Sequence, residues 1–313
     1  MKSLAMAMAA LALTVSGAAQ AQAIEEKNLI SGKTKLDPAQ GYILVSAPDR
    51  YQGSFVRVPD AEDWAAYRAD WEKELAKAKK KFPGKMKEWQ TAADIAVQAG
   101  QKVPPKPKEP DDKTFSIGPI ESRLFVGFGP TYVFQKDKAG SVYRYLTGAK
   151  PGTYIWYGPV TYLVAGGFCY CMGTVKFEVK AGTITDLGDF LLTVARRDGL
   201  TGQDQIDAAP DIFATQMDGK GEVGPDVARY PAVPSTLSAL PVVRAEFHAA
   251  GKTNNILNLM INRVRPIPGI LGYDRDTVID LRTGARLTIQ IADFDPDADY
   301  ADQGNEAQAQ GDK

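Results

Sequence analysis

The spacing of apolar residues changes twice along the chain. Between Gly41 and Asp60 it is strand-like: Ile43 and Val45, then Phe55, Val56 and Val58, with Pro48-Asp49 and Gly53 between the two runs. β-Branched and aromatic runs broken by turn residues predict two strands around a turn. From Asp60 the period becomes helical. Trp64, Tyr67, Trp71, Leu75, Ala78 and Phe82 follow in steps of three and four, which puts them on one helical face. Asp60 is placed to cap, with Asp63 three residues on. Pro83-Gly84 predicts the stop. Met86, Trp89, Ala93 and Val97 then carry a second stripe, and GQKVPPKPKEPDD reads as a stiff, polyproline-like return. Residues 61–110 are expected to form an inserted α-helical hairpin with a Pro-rich return.

From Thr114 the strand period resumes. RLFVGFG, TYVFQK, SVYRYLTG, GTYIWYGPVTYLVAGG, TVKFEVKAG and DFLLTV are short aromatic and β-branched runs separated by turn residues, at the spacing of a sandwich or barrel. Lys176, Glu178 and Lys180 alternate with Val175, Phe177 and Val179, predicting a strand with one wet face. Residues 198–235 are polar and rich in Gly and Pro, which predicts a long surface loop. One helix is expected after Pro241, stopped by Gly251 and bearing His248, and one or two strands within GYDRDTVIDLRTGARLTIQIADF close the fold. Residues 293–313 hold few apolar side chains and read as a disordered acidic tail. The fold class expected is mainly β: an antiparallel β-sandwich built from residues 24–60 and 114–292, with the inserted α-helical hairpin and a loop-rich C-terminal part.

The first residues change the setting. Lys2 precedes a short apolar run from Leu4 to Val15, and Ala21-Gln22-Ala23 supplies small residues around a cleavage point. Residues 1–23 therefore read as a secretory signal peptide cleaved after Ala23, and the run is too short to span a bilayer. The compact, Ala-rich style points to the periplasm or exterior of a Gram-negative bacterium. No later run reaches about 18 apolar residues, so no membrane span is expected. The formal charge of -1 gives no global basic field, and no nucleic-acid partner is expected. Apolar content of 44% is ordinary for a globular chain, and two cysteines are too few for a disulfide-dense scaffold.

Those two, Cys169 and Cys171, are one residue apart. In a strand, positions i and i+2 share a face with Cβ atoms too far apart for an unstrained bridge. A turn would bring them together, and Gly166, Gly167 and Gly173 offer one. The apolar flanks Phe168, Tyr170 and Met172 speak against a lowered thiolate pKa and a redox role. Cys169, Cys171, Met172 and His248 suit a soft metal such as Cu(I), without a further Met or His cluster to complete the set. The reading is structural, a bridge or buried thiols; no metal site and no cofactor is predicted.

The chain has one histidine, so Ser-His-Asp or Cys-His catalysis would have to pass through His248, and a three-His zinc centre is excluded. No G-x-S-x-G elbow is present. Carboxylates are plentiful, but no spacing identifies a hydrolytic pair. Asp274 and Asp276 in YDRDTV resemble the start of a haloacid-dehalogenase-type phosphatase but sit too near the end of the sequence for that fold. The acids from Asp293 lack the Gly and Glu of a calcium loop. Two GKT triplets lack the P-loop glycine, since Lys27 and Glu246 stand in its place. Lys77, Lys79, Lys80, Lys81, Lys85 and Lys87 could meet an anionic surface, yet acids on the same segment favour a solvated face. Trp64, Tyr67, Trp71 and Trp89 are the candidate partner-binding residues, because Trp and Tyr dominate interface hot spots; their alternative is packing on the sheet.

KPGTYIW followed by GTVKFEVKAGTITDLGDF resembles a pattern in exported bacterial β-sandwich proteins and lipoproteins of unassigned role. The likeness spans Lys150 to Phe190. It implies turn roles for Gly152 and Gly182 and core roles for Tyr154 and Phe177, and carries no catalytic residue. Together these readings favour a periplasmic or envelope-associated binding or interaction protein without catalysis, its partner an envelope protein or glycan. A carboxylate-based glycan hydrolase is the alternative, and a thiol or copper protein a lesser one.

Overall fold

The computed structural model describes residues 22–137, 142–159, 168–191, 230–298 and 300. Their regular structure is mostly strand, with one long helix. A six-stranded sheet runs in the order β1 (Gln22–Ile24), β6 (Tyr143–Ala149), β2 (Gly41–Ala47), β10 (Ile184–Asp186), β11 (Val242–Arg244), with β5 (Gln135–Lys136) added on β6. A five-stranded sheet runs β12 (His248–Ala250), β9 (Thr174–Val179), β7 (Gly152–Gly158), β3 (Gly53–Arg57), β4 (Phe125–Phe128). A three-stranded sheet joins β14 (Leu271–Asp274), β15 (Thr277–Asp280) and β16 (Arg286–Leu287), and β8 (Phe168–Cys169) pairs with β13 (Met260–Ile261). The helices are α1 (Glu26–Ile30) and α2 (Ala61–Gln98).

The two larger sheets share one core. Ile43, Val45 and Tyr145 from the first meet Phe55, Trp156, Val175 and Phe177 from the second. The opposite face of β2 is covered too: Tyr42 and Leu44 pack with Ile24, Leu146, Ile184 and Leu237. A strand buried on both faces reads as a continuous apolar run, as GYILVSA does. The sheets are not wholly antiparallel, contrary to the sequence expectation. β10 lies parallel to both β2 and β11, and β8 parallel to β13. The reason for β10 is that the chain leaves β9 in one sheet and enters β10 in the other, so no hairpin dictates its direction. Gly182 sits in this crossing at φ 67°, where a Cβ would lie 3.2 Å from the Pro38 carbonyl oxygen.

Three further expectations change. The helical hairpin is a single helix: α2 runs unbroken through Pro83 for 38 residues. Its apolar register explains this, since Phe82, Met86, Trp89, Ala93 and Ala96 continue the steps of Trp64 to Ala78 across the proline without a slip. Pro83 costs the helix one hydrogen bond and a carbonyl clash, and the continuous stripe outweighs that. The chain reverses at Gly100 instead, in the left-handed region at φ 66°, with Gln101 N–H donating to the Ala96 carbonyl. Secondly, the segment after Pro241 forms β11 and β12 rather than a helix, and His248 pairs with Lys176 of β9. Its β-branched start and alternation outweigh the Ala-rich composition. Thirdly, residues 293–298 and Tyr300 of the expected disordered tail pack against α2. The proposed signal through Ala21, the strand expected at 160–167, most of the predicted 198–235 loop and residues 301–313 lie outside the described residues. Gln22–Ile24, which contains the expected cleavage point, forms β1.

Candidate functional site

The helix α2 is fixed at its N-terminus. Asp60 and Asp63 form a reciprocal capping box: the Asp60 carboxylate accepts from the Asp63 N–H, and the Asp63 carboxylate accepts from the Asp60 N–H, both at 2.9 Å. Arg57, at the end of β3 and nearly buried, donates to Asp63 at 2.6 Å and Asp60 at 3.2 Å. Lys150, before β7, reaches Asp60 at 3.0 Å and Glu62 at 2.6 Å. Burial alone would raise the Asp60 carboxyl; the Asp63 N–H, Lys150 and Arg57 outweigh it and hold its pKa at about 2. The helix start is thereby tied to two central strands.

The inner half of α2 is core. Trp64, Tyr67, Trp71 and Leu75 are 2, 2, 6 and 7% exposed and pack with Val56, Ile120, Ile155 and Tyr157. Trp71 Nε1 donates to the Phe115 carbonyl at 3.0 Å, and the Tyr67 hydroxyl donates to the Gly118 carbonyl. Residues 293–298 and Tyr300 lie over the remaining edge as a strap. Tyr300 stacks on Trp64 at 4.1 Å between ring centroids, and Phe294 contacts Tyr67 and Trp71. Arg68 clamps the strap by donating to the carbonyls of Pro296 and Ala298 at 2.5 and 2.6 Å. Trp64, Tyr67 and Trp71, expected from sequence as partner-binding residues, are therefore covered by the chain itself. They face the body because one helix face cannot serve core and solvent together.

Beneath this half lies a polar group that spacing alone did not single out. Glu121, 1% exposed, accepts from Asn254 Nδ2 at 2.9 Å, and the same nitrogen lies 3.3 Å from Asp293 Oδ1. Burial pushes the Glu121 carboxyl above its ordinary value, against the opposing hydrogen bond from Asn254. A carboxylate four residues before a strand carries no sequence signal of burial, so nothing in the pattern could have found it.

The two cysteines are joined in a disulfide with a Cα–Cα distance of 5.1 Å. An extended chain would separate these positions by about 6.6 Å, twice the strand rise. The bend follows from the end of β8 at Cys169: Asn262 N–H donates to the Cys169 carbonyl, Thr253 N–H to that of Cys171, and Gly173 turns at φ 137°. Both half-cystines are buried, at 0 and 3% exposure, within the same cluster as the inner half of α2. His248 is half-exposed on β12, 3.8 Å from Glu246, and joins neither the disulfide cluster nor Glu121. Among the described residues no group of three His, Cys, Asp or Glu side chains is arranged to hold a metal.

The outer half of α2 differs. Beyond Leu75 it leaves the core clusters, and its contacts are with its own return: Lys79 pairs with Asp112 at 2.8 Å, Trp89 Nε1 donates to the Pro104 carbonyl at 2.9 Å, and Lys106 lies over the Trp89 ring. Trp89, the fourth expected partner residue, is thus half-buried against the Pro-rich return. At 1.5 Å per residue the helix extends roughly 35 Å past Leu75. Helix and return form an arm, and its end shows Ile95, Val97 and Val103 at 61, 67 and 40% exposure. No helix among the described residues is long and apolar enough to cross a membrane. No protein-family model, curated protein or solved structure matches the chain.

Proposed function

We propose that the protein is an exported, envelope-associated interaction module without catalysis, built on a β-sandwich, and that its partner-facing element is the outer arm of α2. The signal-like residues 1–23 support export. The common core fed by both larger sheets supports the sandwich. The observation that carries the interaction reading is the division of α2: the inner half stabilises the body, whereas of some 35 residues beyond it only Ala93 and Ala96 are buried and none joins a core cluster of the body. Helices are stabilised mainly by tertiary packing; an arm packed only on its own return is explained by what it reaches. The test is to replace residues 78–110 with a short Gly/Ser linker. The body should stay folded with its melting temperature little changed, and association with the envelope fraction should be lost. A folded deletion product that associates as the full chain does would overturn the reading.

A glycan hydrolase is the second reading, favoured by one observation, the buried Glu121 linked through Asn254 to Asp293. In this arrangement Glu121 is buried while Asp293 stands exposed on the strap itself, so substrate would reach Glu121 only if the strap moved.

A further inference from the structure

Charge is distributed unevenly between arm and body. Residues 80–108 hold seven lysines (80, 81, 85, 87, 102, 106 and 108) against two acids, Glu88 and Asp94, a net of +5. The whole sequence has a formal charge of -1, so everything outside this stretch carries -6, of which -2 falls on the described residues. All seven lysines are exposed. Lys80, Lys81, Lys85 and Lys87 have no carboxylate partner among the described residues. They occur around the solvent arc of the helix rather than on one line, because the remaining face is taken by the return at Phe82, Met86, Trp89, Ala93 and Ala96. At the far end three exposed side chains are apolar, Ile95, Val97 and Val103, set among the exposed Asp94, Gln98, Gln101 and Lys102.

A rod that is cationic along its length and apolar at its tip matches the two layers of an anionic lipid surface. Lysines near such a surface gain about fivefold in binding each, within a Debye length of the headgroups. Apolar side chains bury just below them. Lys80 and Ile95 are about 22 Å apart along the helix, so the arm would lie along such a surface rather than meet it end-on, and the body, with no cationic excess of its own, would not compete for it. An acidic protein would match the lysines but leave the tip unexplained, and so would a nucleic acid. We propose that the outer arm of α2 docks on anionic phospholipid, with Lys80, Lys81, Lys85 and Lys87 at the headgroups and Ile95, Val97 and Val103 entering the interface. The proposal rests on the arm being the partner-facing element.

Co-sedimentation of the full chain with vesicles tests it, using phosphatidylcholine alone and phosphatidylcholine with about one-third phosphatidylglycerol. Binding is expected only to the anionic vesicles and should disappear near 1 M salt, where the Debye length is about 3 Å. Changing the four lysines to Glu should reduce binding by a hundredfold or more, and changing all four to Gln, which spares the helix any added repulsion, should act in the same direction. Ile95→Asp with Val97→Asp should cost about tenfold with the lysines intact. Circular dichroism of each variant must show the wild-type helix content. Equal binding to neutral vesicles, or undiminished binding by both lysine variants, would overturn the proposal. Arm-dependent association with an envelope protein or with duplex DNA, in the absence of vesicle binding, would also overturn it while leaving the arm as the partner-facing element. Loss of that last role as well would require the deletion of residues 78–110 to leave envelope association unchanged.

Discussion

The two halves of α2 share one apolar stripe and one helical register, yet they live in different environments. Trp71 in the inner half is 6% exposed, hydrogen-bonded to the Phe115 carbonyl and packed on Phe294. Trp89 in the outer half has an equivalent hydrogen bond, to Pro104, but only a lysine and the return lie around it. Sequence periodicity says which residues of a helix face inward; it does not say what inward is. Whether the stripe meets a sheet or merely the irregular return of its own arm is decided by where the helix is anchored and how long it is.

The sharpest way to break this comparison is to truncate both tryptophans. Trp71→Ala should lower stability by about 3–5 kcal/mol, as for a core aromatic. Trp89→Ala should scarcely move the global unfolding transition and instead loosen the arm, seen as faster amide exchange in residues 85–105. Equal losses in denaturant unfolding would mean that the arm folds as one unit with the body. A smaller effect concerns the disulfide under the inner half. Replacing Cys169 and Cys171 together by Ser should cost about 1.6 kcal/mol on the chain-entropy estimate for so short a loop. Arm-dependent association should not change; its loss in a folded variant would place the binding function beneath the inner half instead. The least effect is a change of slope. Glu121 binds its proton better in the folded than in the unfolded chain, so its contribution to stability is greatest below the ordinary glutamate range and declines as pH rises through the folded value. Glu121→Gln should flatten that decline in melting temperature above about pH 4.5. A steeper decline would contradict burial as the cause, and loss of a glycan-cleaving activity would favour the hydrolase reading.

Much of the β framework was legible because strand runs and turn residues alternate at short range. Tyr154 and Phe177 lie in the core at 1% exposure, and Gly182 turns at positive φ. The single helix differs from the hairpin its sequence predicts for a definable reason. Pro83-Gly84 is a strong local stop, but the stripe crosses it in phase, and a reversal would have had no need to keep phase. Around His248 the residues Ala245, Ala249 and Ala250 mimic a helix, whereas Val242 and Val243 begin a strand that pairs with β10. The strap could not be foreseen from composition: Phe294 and Tyr300 are the two aromatic residues in an otherwise acidic segment, and two side chains suffice once Trp64 supplies a surface. Glu121 and Asn254 are 133 residues apart in sequence, and only the tertiary fold brings them together.

The strap also makes the chain its own ligand. Residues 293–298 and Tyr300 occupy the aromatic edge of α2 as a bound peptide would, with stacked rings as anchors and Arg68 holding the backbone at Pro296 and Ala298. A protease cut near Asp293 that released them would bare the edges of Trp64, Tyr67 and Trp71 that Phe294 and Tyr300 now cover, while the sheet would keep the opposite sides of these rings.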